Sequence, residues 1–294
     1  MKIAVHSEDI DGISCAALFL LKYPNAEIKF LSVYEAENTD EEFDFAADLP
    51  KTKNSKINID HHETNYVKLI KDGRISEKDL IDPAAPSAAL LVMKYLNLES
   101  NKIAQEIVDI ANKADTGKFD AKTRLLDKVI KLNIDNNEAL RKIAEALAKF
   151  GKNYEKDPWL ATQLRAAKET MRRYESVINR TLRQLLSKKV KYAIFDATSI
   201  PFFMAKDLAQ LFARKGGYLG VSVYIDPVTK SLRCSIRVSD SCNIKANKIT
   251  EKLGGGGHEK ASGALIKNIS ELIEQIIEHV EPNEFIAYVK VRVD

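Results

Sequence analysis

The sequence predicts an α/β fold in two parts. An N-terminal parallel-sheet domain is joined by a long helix to a smaller C-terminal α/β domain. Three observations carry this prediction. Short apolar runs alternate with stretches of helical periodicity at both ends of the chain, the pattern of strands with crossover helices. The stretch from Trp159 to Lys189 contains no Pro or Gly and keeps its apolar residues on one stripe. A length of 294 residues accommodates two domains at roughly 100–200 residues each. The boundaries expected are 1–156 for the first domain, 157–189 for the connecting helix and 190–294 for the second domain.

Taken in order, Lys2 to His6 reads as a buried strand and Gly12 to Tyr23, small and apolar, as a helix packed on a sheet. Ile28 to Tyr34 reads as a second strand, and Phe43 to Ala47 and Lys56 to Ile59 as two short ones. Ser87 to Leu96 and Ile103 to Lys113 have helical periodicity. The chain is polar and helical over 119–156, most clearly from Glu138 to Phe150, until Asp157-Pro158 breaks it. In the long helix Leu160, Leu164, Ala167, Met171, Tyr174, Ile178, Leu182 and Leu185 share one stripe at about 100° per residue. Strand Val190 to Asp196, helix Phe202 to Arg214 and a hairpin of Leu219 to Ile225 with Ser231 to Val238 around Asp226-Pro227 open the second domain. Helix Ile244 to Leu253, strand Ala264 to Ile266, helix Ser270 to Val280 and strand Phe285 to Val293 complete it.

Composition narrows the class. Apolar residues make up 45% and charged residues 30%, as in ordinary globular protein. The longest apolar stretch, Ile13 to Leu21, is far short of the roughly 20 residues that span a bilayer, so no membrane partner and a cytoplasmic location are expected. Three scattered cysteines (Cys15, Cys234, Cys242) fit neither a zinc finger nor a disulfide framework. The net charge of +3 hides an asymmetry: residues 1–118 carry 14 Lys/Arg against 21 Asp/Glu, and residues 119–294 carry 31 against 21. An acidic half suits cations and a basic half a polyanion.

The apolar runs at 1–6, 43–47 and 56–59 all end in Asp or His, and ligands of open α/β sheets bind beyond the carboxyl ends of the strands. That places His6, Asp48 and Asp60 on one sheet edge. His6-Ser7-Glu8-Asp9-Ile10-Asp11-Gly12 puts several polar ligands in one strand-to-helix loop, and Asn58-Ile59-Asp60-His61-His62 puts more directly after a strand. Carboxylates and imidazoles without thiolates suit Mn²⁺, Mg²⁺ or Fe²⁺. Ligands close enough could hold two metals roughly 3.5–4 Å apart, the arrangement of in-line phosphoryl hydrolysis. Taken singly, each Asp reads equally as a helix cap and each His as a hydrogen-bonded core residue.

With the Asp60-His61-His62 triplet the sequence resembles the DHH phosphoesterase family. His6…Asp9-x-Asp11-Gly12, Ala47-Asp48-Leu49-Pro50, Asp60-His61-His62 and Asp115-Thr116-Gly117-x-Phe119 resemble its four motifs in order. Two residues separate His6 from Asp9, where the family usually has one or three. Gly254-Gly255-Gly256-Gly257-His258 followed by Ala261-Ser262-Gly263-Ala264 resembles the signature of the DHH-associated substrate-binding domain. The resemblance implies two ions, Mn²⁺ with Mg²⁺ as the alternative. His6 and Asp9 would hold the first, Asp11, His61 and Asp115 the second, and Asp48 would bridge them, with Asp44 a weaker alternative to Asp48. Asp60 would orient a ligand histidine and His62 would face the scissile phosphate.

Four consecutive glycines have no evident strand or helix use; they read as a loop whose free N–H groups close around phosphate, or as a linker. By the resemblance, His258 and this loop hold a terminal nucleotide. Ser235 and Arg237 match a Ser-x-Arg strand, in which Arg237 offers a bidentate fork to phosphate. The long helix carries a second basic signal: residues 160–191 hold nine Lys/Arg and two Glu, with Arg165, Lys168, Arg172 and Arg183 on one face. That face reads as a phosphate track, with a solvated or partner-bound helix as the alternative. The function expected is Mn-dependent phosphodiester hydrolysis between the domains, as a single-strand-specific 3′→5′ exonuclease on DNA or RNA. The alternative is an enzyme for very short substrates: a nanoRNase, a cyclic di-AMP phosphodiesterase or a nucleotide phosphatase. A non-catalytic nucleotide sensor is a third reading, against which the intact acidic set speaks. A homodimer and a DNA-repair or replication partner protein are compatible with either enzyme.

Overall fold

The computed structural model describes residues 1–227 and 229–292, so Val228 of the hairpin turn and the end of the last expected strand, at Val293, lie outside the described residues. The chain divides into two units, Met1–Lys168 and Glu169–Asp294.

In the first unit β1 (Lys2–His6) leads into α1 (Ile10–Lys22), then β2 (Glu27–Leu31), α2 (Val33–Asn38), β3 (Glu42–Ala47) and β4 (Asn54–Asp60). Then come α3 (Glu63–Lys71), β5 (Leu80–Ile81), α4 (Ala88–Tyr95), α5 (Lys102–Asp115), α6 (Ala121–Leu132), α7 (Asn137–Phe150) and a 3-10 turn over Gly151–Lys156. The strands form one parallel sheet in the order β2-β1-β3-β4-β5. The order reverses between β1 and β3, which creates a crevice at their carboxyl ends. Ile3, Ala4 and Val5 have no exposed surface, as expected of a strand covered on both faces. α1 is buried along nearly its whole length because α4, α5 and α7 pack around it. Gly12 permits its start: a Cβ there would lie 2.1 Å from the His6 carbonyl oxygen.

The sequence pattern is redrawn in two places here. The run from Ile28 to Tyr34 is not one strand; β2 stops at Leu31 because Ser32 and Glu35 form a capping box that starts α2. α3, which begins directly after His62, goes unread in the sequence because it is only nine residues long and polar on average.

α8 (Pro158–Ser187) spans the division of the chain. Its Leu160, Leu164 and Ala167 belong to the core of the first unit, its Ile178 and Leu182 to that of the second. The second unit continues with β6 (Tyr192–Asp196), α9 (Phe202–Arg214), β7 (Leu219–Ile225), β8 (Leu232–Val238) and α10 (Ala246–Glu251). β9 (Gly256–His258), β10 (Ala261–Leu265), α11 (Ile269–Ile277) and β11 (Ile286–Lys290) complete it. Its sheet runs β11-β6-β7-β8-β10-β9, parallel over the first three strands and antiparallel beyond. α10 and α11 pack on one face, α8 and α9 on the other.

The glycine run is corrected. Gly256 and Gly257 are not loop but part of β9, an edge strand paired with β10. Close approach explains them: a Cβ on Gly255 would lie 2.3 Å from the Gly263 carbonyl oxygen, and one on Gly257 2.6 Å from that of Ala261. The glycines let backbones touch, a demand that composition alone presents as flexibility.

Candidate metal centre

The crevice between β1 and β3 collects acidic and imidazole side chains from four segments. His6 ends β1, Asp9 caps α1 by accepting from the Gly12 N–H at 3.0 Å, and Asp48 follows β3. Asp60 ends β4, His61 and His62 follow it, and Asp115 is the last residue of α5. Parallel register explains the convergence: Val5 lies beside Ala47 and Ala47 beside Ile59, so the next residues of all three strands emerge at one level.

Asp48 is the hub. Its Oδ2 lies 3.5 Å from His6 Nδ1, and its Oδ1 lies 3.9 Å from His61 Nε2 and 3.8 Å from His62 Nδ1. His6 Nδ1 also meets Asp9 Oδ2 at 3.0 Å, while His61 Nε2 meets Asp115 Oδ2 at 3.3 Å and Asp11 Oδ2 at 3.6 Å. Three sets have the geometry to hold a cation: His6-Asp9-Asp48, Asp11-His61-Asp115 and Asp48-His61-His62. The unusual spacing of His6 thus leaves it within reach of Asp9 and Asp48.

Four buried atoms here, His6 Nδ1, His61 Nε2 and both carboxylate oxygens of Asp48, have no hydrogen-bond partner. Buried polar atoms without partners are rare and costly, and these four, set around Asp48, are donors of the kind that hold divalent cations. Electrostatics agree. Burial, together with the Asp9 charge, pushes Asp11 up to about 8, and burial with Asp11 and Asp9 raises Asp48 well above the carboxylate range. Burial also raises Asp115. For His6 burial opposes protonation, but the Asp9 and Asp48 carboxylates outweigh it and raise its pKa. Burial likewise opposes ionisation of Asp9, and His6 outweighs it, so Asp9 is held below its usual range. Carboxylates that resist joint ionisation need added positive charge, and the oxygen and nitrogen donors suit a hard or borderline divalent ion.

Some expected roles shift. Asp60 has no exposed surface, and its Oδ1 accepts from His62 Nδ1 at 2.8 Å, while its Oδ2 accepts from Asn65 Nδ2 at 2.6 Å. It therefore fixes the ring of His62, and raises that residue's pKa, while it holds His61 only through the backbone N–H, at 2.8 Å. The ring of His61 is set instead by the Ala85 carbonyl oxygen, 3.1 Å from Nδ1. Asp44, the weaker alternative to Asp48, lies outside the cluster and accepts from the Lys2 N–H and from Lys56 Nζ. Asp11 has a second task missed in the sequence: it accepts from the backbone N–H groups of Ala88 and Ala89.

In the second unit Arg237, Ala261 and His258 form one row across β8, β10 and β9, and Ser235, Gly263 and Gly256 form the next but one. Side chains alternate along strands, so Ser235, Arg237 and His258 share one sheet face with glycine and alanine between them. Space above Gly256 is open, with no atom within 4 Å of where its Cβ would be. Ser235 Oγ accepts from Arg237 Nη1 at 3.0 Å, which steadies the guanidinium. Gly254 lies outside the strand and adopts φ +72°. A cavity of about 990 Å³ also lies in this unit, walled by Tyr192, Tyr218, Lys245 and Lys248, but none of the expected site residues lines it. On α8, Arg165, Lys168, Arg172 and Arg183 are all exposed.

The residues that carry the DHH resemblance in the sequence, His6, Asp9, Asp11, Asp48, His61, His62 and Asp115, meet in this one crevice. Residues 199–282 match the DHHA1 domain. The fold is similar to that of PggH, a pGpG-specific phosphodiesterase from Vibrio cholerae, at 16% identity and a TM-score of 0.61 over 94% of this chain and 97% of that one. It is also similar to RecJ from Thermus thermophilus, solved in complex with Mn²⁺, at 14% identity and a TM-score of 0.51 over 98% of this chain and 53% of RecJ. No curated protein sequence matches significantly. Residues 199–282 thus match the DHHA1 domain, and the chain shares the fold of these two proteins. Among the described residues no helix is long and apolar enough to cross a membrane.

Proposed function

We propose that this chain is a Mn-dependent phosphodiesterase that removes nucleotides from the 3′ end of single-stranded DNA or RNA. The observation that carries the hydrolytic reading is Asp48: buried, without a hydrogen bond at either oxygen, and in reach of His6, His61 and His62. His6, Asp9 and Asp48 would hold one divalent ion, and Asp11, His61 and Asp115 a second. Such ions, when bound, make water acidic and offset charge at phosphoryl oxygens. Asp60 occupies Nδ1 of His62, so Nε2 is the atom left to give a hydrogen bond or proton to a phosphoryl oxygen. The hydrogen bond to Asp60 raises the His62 pKa, which favours the doubly protonated ring whose Nε2 carries that proton. Arg237 and His258, on one sheet face, would grip the phosphate and terminal nucleotide of the substrate.

The exposed basic residues of α8 favour long strands, through counterion release along the backbone. One observation favours the second reading, short oligonucleotides such as linear or cyclic dinucleotides: the fold likeness to the pGpG-specific enzyme extends over 97% of that protein. Digestion of end-labelled DNA and RNA strands from two to about thirty nucleotides with Mn²⁺, beside pGpG and cyclic di-AMP, tests both. Loss of mononucleotides from the 3′ end of long strands supports the first reading. Turnover of dinucleotides alone supports the second, and no turnover of any substrate refutes both.

A further inference from the structure

We propose that Asn58 is a positioning residue of the metal centre, whose buried carboxamide holds the left-handed turn that aims Asp48. The inference rests on the metal-dependent reading above.

Asp48 has φ +57°, a region that residues other than glycine seldom occupy and that the surroundings must hold in place. Its own N–H donates to the Ile59 carbonyl at 3.0 Å. Asn58 has no exposed surface, and its Nδ2 donates to the carbonyls of Ala46 at 3.1 Å and Leu49 at 3.0 Å. One amide nitrogen therefore ties the backbone on both sides of Asp48. The clamp is anchored in turn: the Asn58 N–H donates to Asp79 Oδ1 at 2.8 Å, and Lys51 Nζ donates to the two Asp79 oxygens at 3.0 and 2.7 Å. Lys51 lies three residues beyond Asp48, so the turn is pinned at both ends to β4 and its neighbour.

The chemistry selects asparagine. Two carbonyls must be met by two N–H donors on one short side chain; aspartate would set oxygen against oxygen, and leucine would leave both carbonyls bare. Asn58 Oδ1 is itself buried without a partner. A residue serving packing alone would gain by shedding that cost. Asp48 touches His6, His61 and His62, so a turn released from Asn58 would misplace the one carboxylate common to these contacts. Groups that orient metal ligands typically change affinity by about 10–100-fold when lost.

The test uses the full chain with Asn58→Leu and the gentler, isosteric Asn58→Asp. Mn²⁺ affinity is read by titration calorimetry, and exchange of the Asp48 amide by NMR in metal-free protein. Tyr154→Phe serves as a control for stability, because it removes a hydrogen bond made by another buried residue of the same unit, to the Lys122 carbonyl. The Asn58 variants are expected to weaken Mn²⁺ binding at least tenfold and to speed Asp48 exchange at least tenfold, with Tyr154→Phe changing neither. Wild-type Mn²⁺ affinity in a folded Asn58 variant overturns the proposal, as does unaltered Asp48 exchange. A wild-type chain that binds no Mn²⁺ refutes the metal-dependent reading itself, while the exchange measurement still decides whether Asn58 holds the turn.

Discussion

The carboxylate of Asp11 accepts hydrogen bonds from the N–H groups of Ala88, at 2.6 Å, and Ala89, at 2.9 Å, and so closes the start of α4 from 77 residues away in the chain. Ser87 caps the next donor, Leu90. Asp11→Ala therefore uncaps a buried helix as well as removing a candidate metal ligand. It is expected to abolish turnover and to cost about 1–2 kcal/mol, the range for a lost helix cap. Asp11→Asn keeps one acceptor and should lose turnover with less destabilisation. Urea midpoints of the two variants measured beside activity check this, and a normal rate in either removes Asp11 from the centre.

Cation binding should stabilise the chain. Ligand at a hundredfold its Kd adds about 2.7 kcal/mol, and for a unit of this size that raises Tm by about 5–10 °C. A chelator should reverse the shift. In metal-free protein the sign with pH follows from Asp11. Its folded pKa is raised to about 8, so the native state binds a proton that the unfolded chain has released. Stability of the metal-free protein should fall as pH rises from 6 to 9. His6, also raised, acts in the same direction. Melting curves with Mn²⁺ and with chelator across that pH range test both statements.

His258 is expected to govern substrate and not metal. His258→Ala should raise KM for oligonucleotides by about tenfold, the loss of roughly one charge-assisted contact, and leave Mn²⁺ affinity unchanged. A collapse of Mn²⁺ affinity with normal oligonucleotide binding would reverse the assignment.

The basic face of α8 should set the dependence on strand length. Replacing Arg165, Lys168, Arg172 and Arg183 by Gln should flatten the slope of log K against log salt by about 0.7 for each lost contact to a single strand. Long strands should bind more weakly while dinucleotides are cleaved almost as before. Equal effects on both lengths, or none, would mean that this face is solvated or covered by a partner.

All three cysteines are buried, and burial pushes the Cys234 thiol up to about 11 and raises Cys15 as well. Reactive thiolate is scarce under those conditions. The native protein should resist alkylation at pH 7.5, and three thiols should react only after unfolding. Mass spectrometry before and after denaturant measures this directly.

The sequence by itself determined most of what depends on neighbours along the chain. The α/β alternation, the helix of Phe202–Arg214, the strand of Leu219–Ile225 and the strand ends carrying His6 and Asp48 were all legible as period and punctuation. The acidic and imidazole residues stood out because such types gather rarely at strand ends. What only the tertiary structure decided lies in contacts between distant segments. Asp60 steadies His62 while the Ala85 carbonyl sets His61; Asp11 caps α4; Gly257 serves a backbone contact with Ala261. The left-handed φ of Asp48 and the Asn58 amide that brackets it leave no periodic trace, because a turn's dihedral angle and a buried amide's two partners depend on which strands pair. Local pattern specifies elements; burial and pairing then assign each polar atom its partner, and those assignments exist only once the sheet has formed.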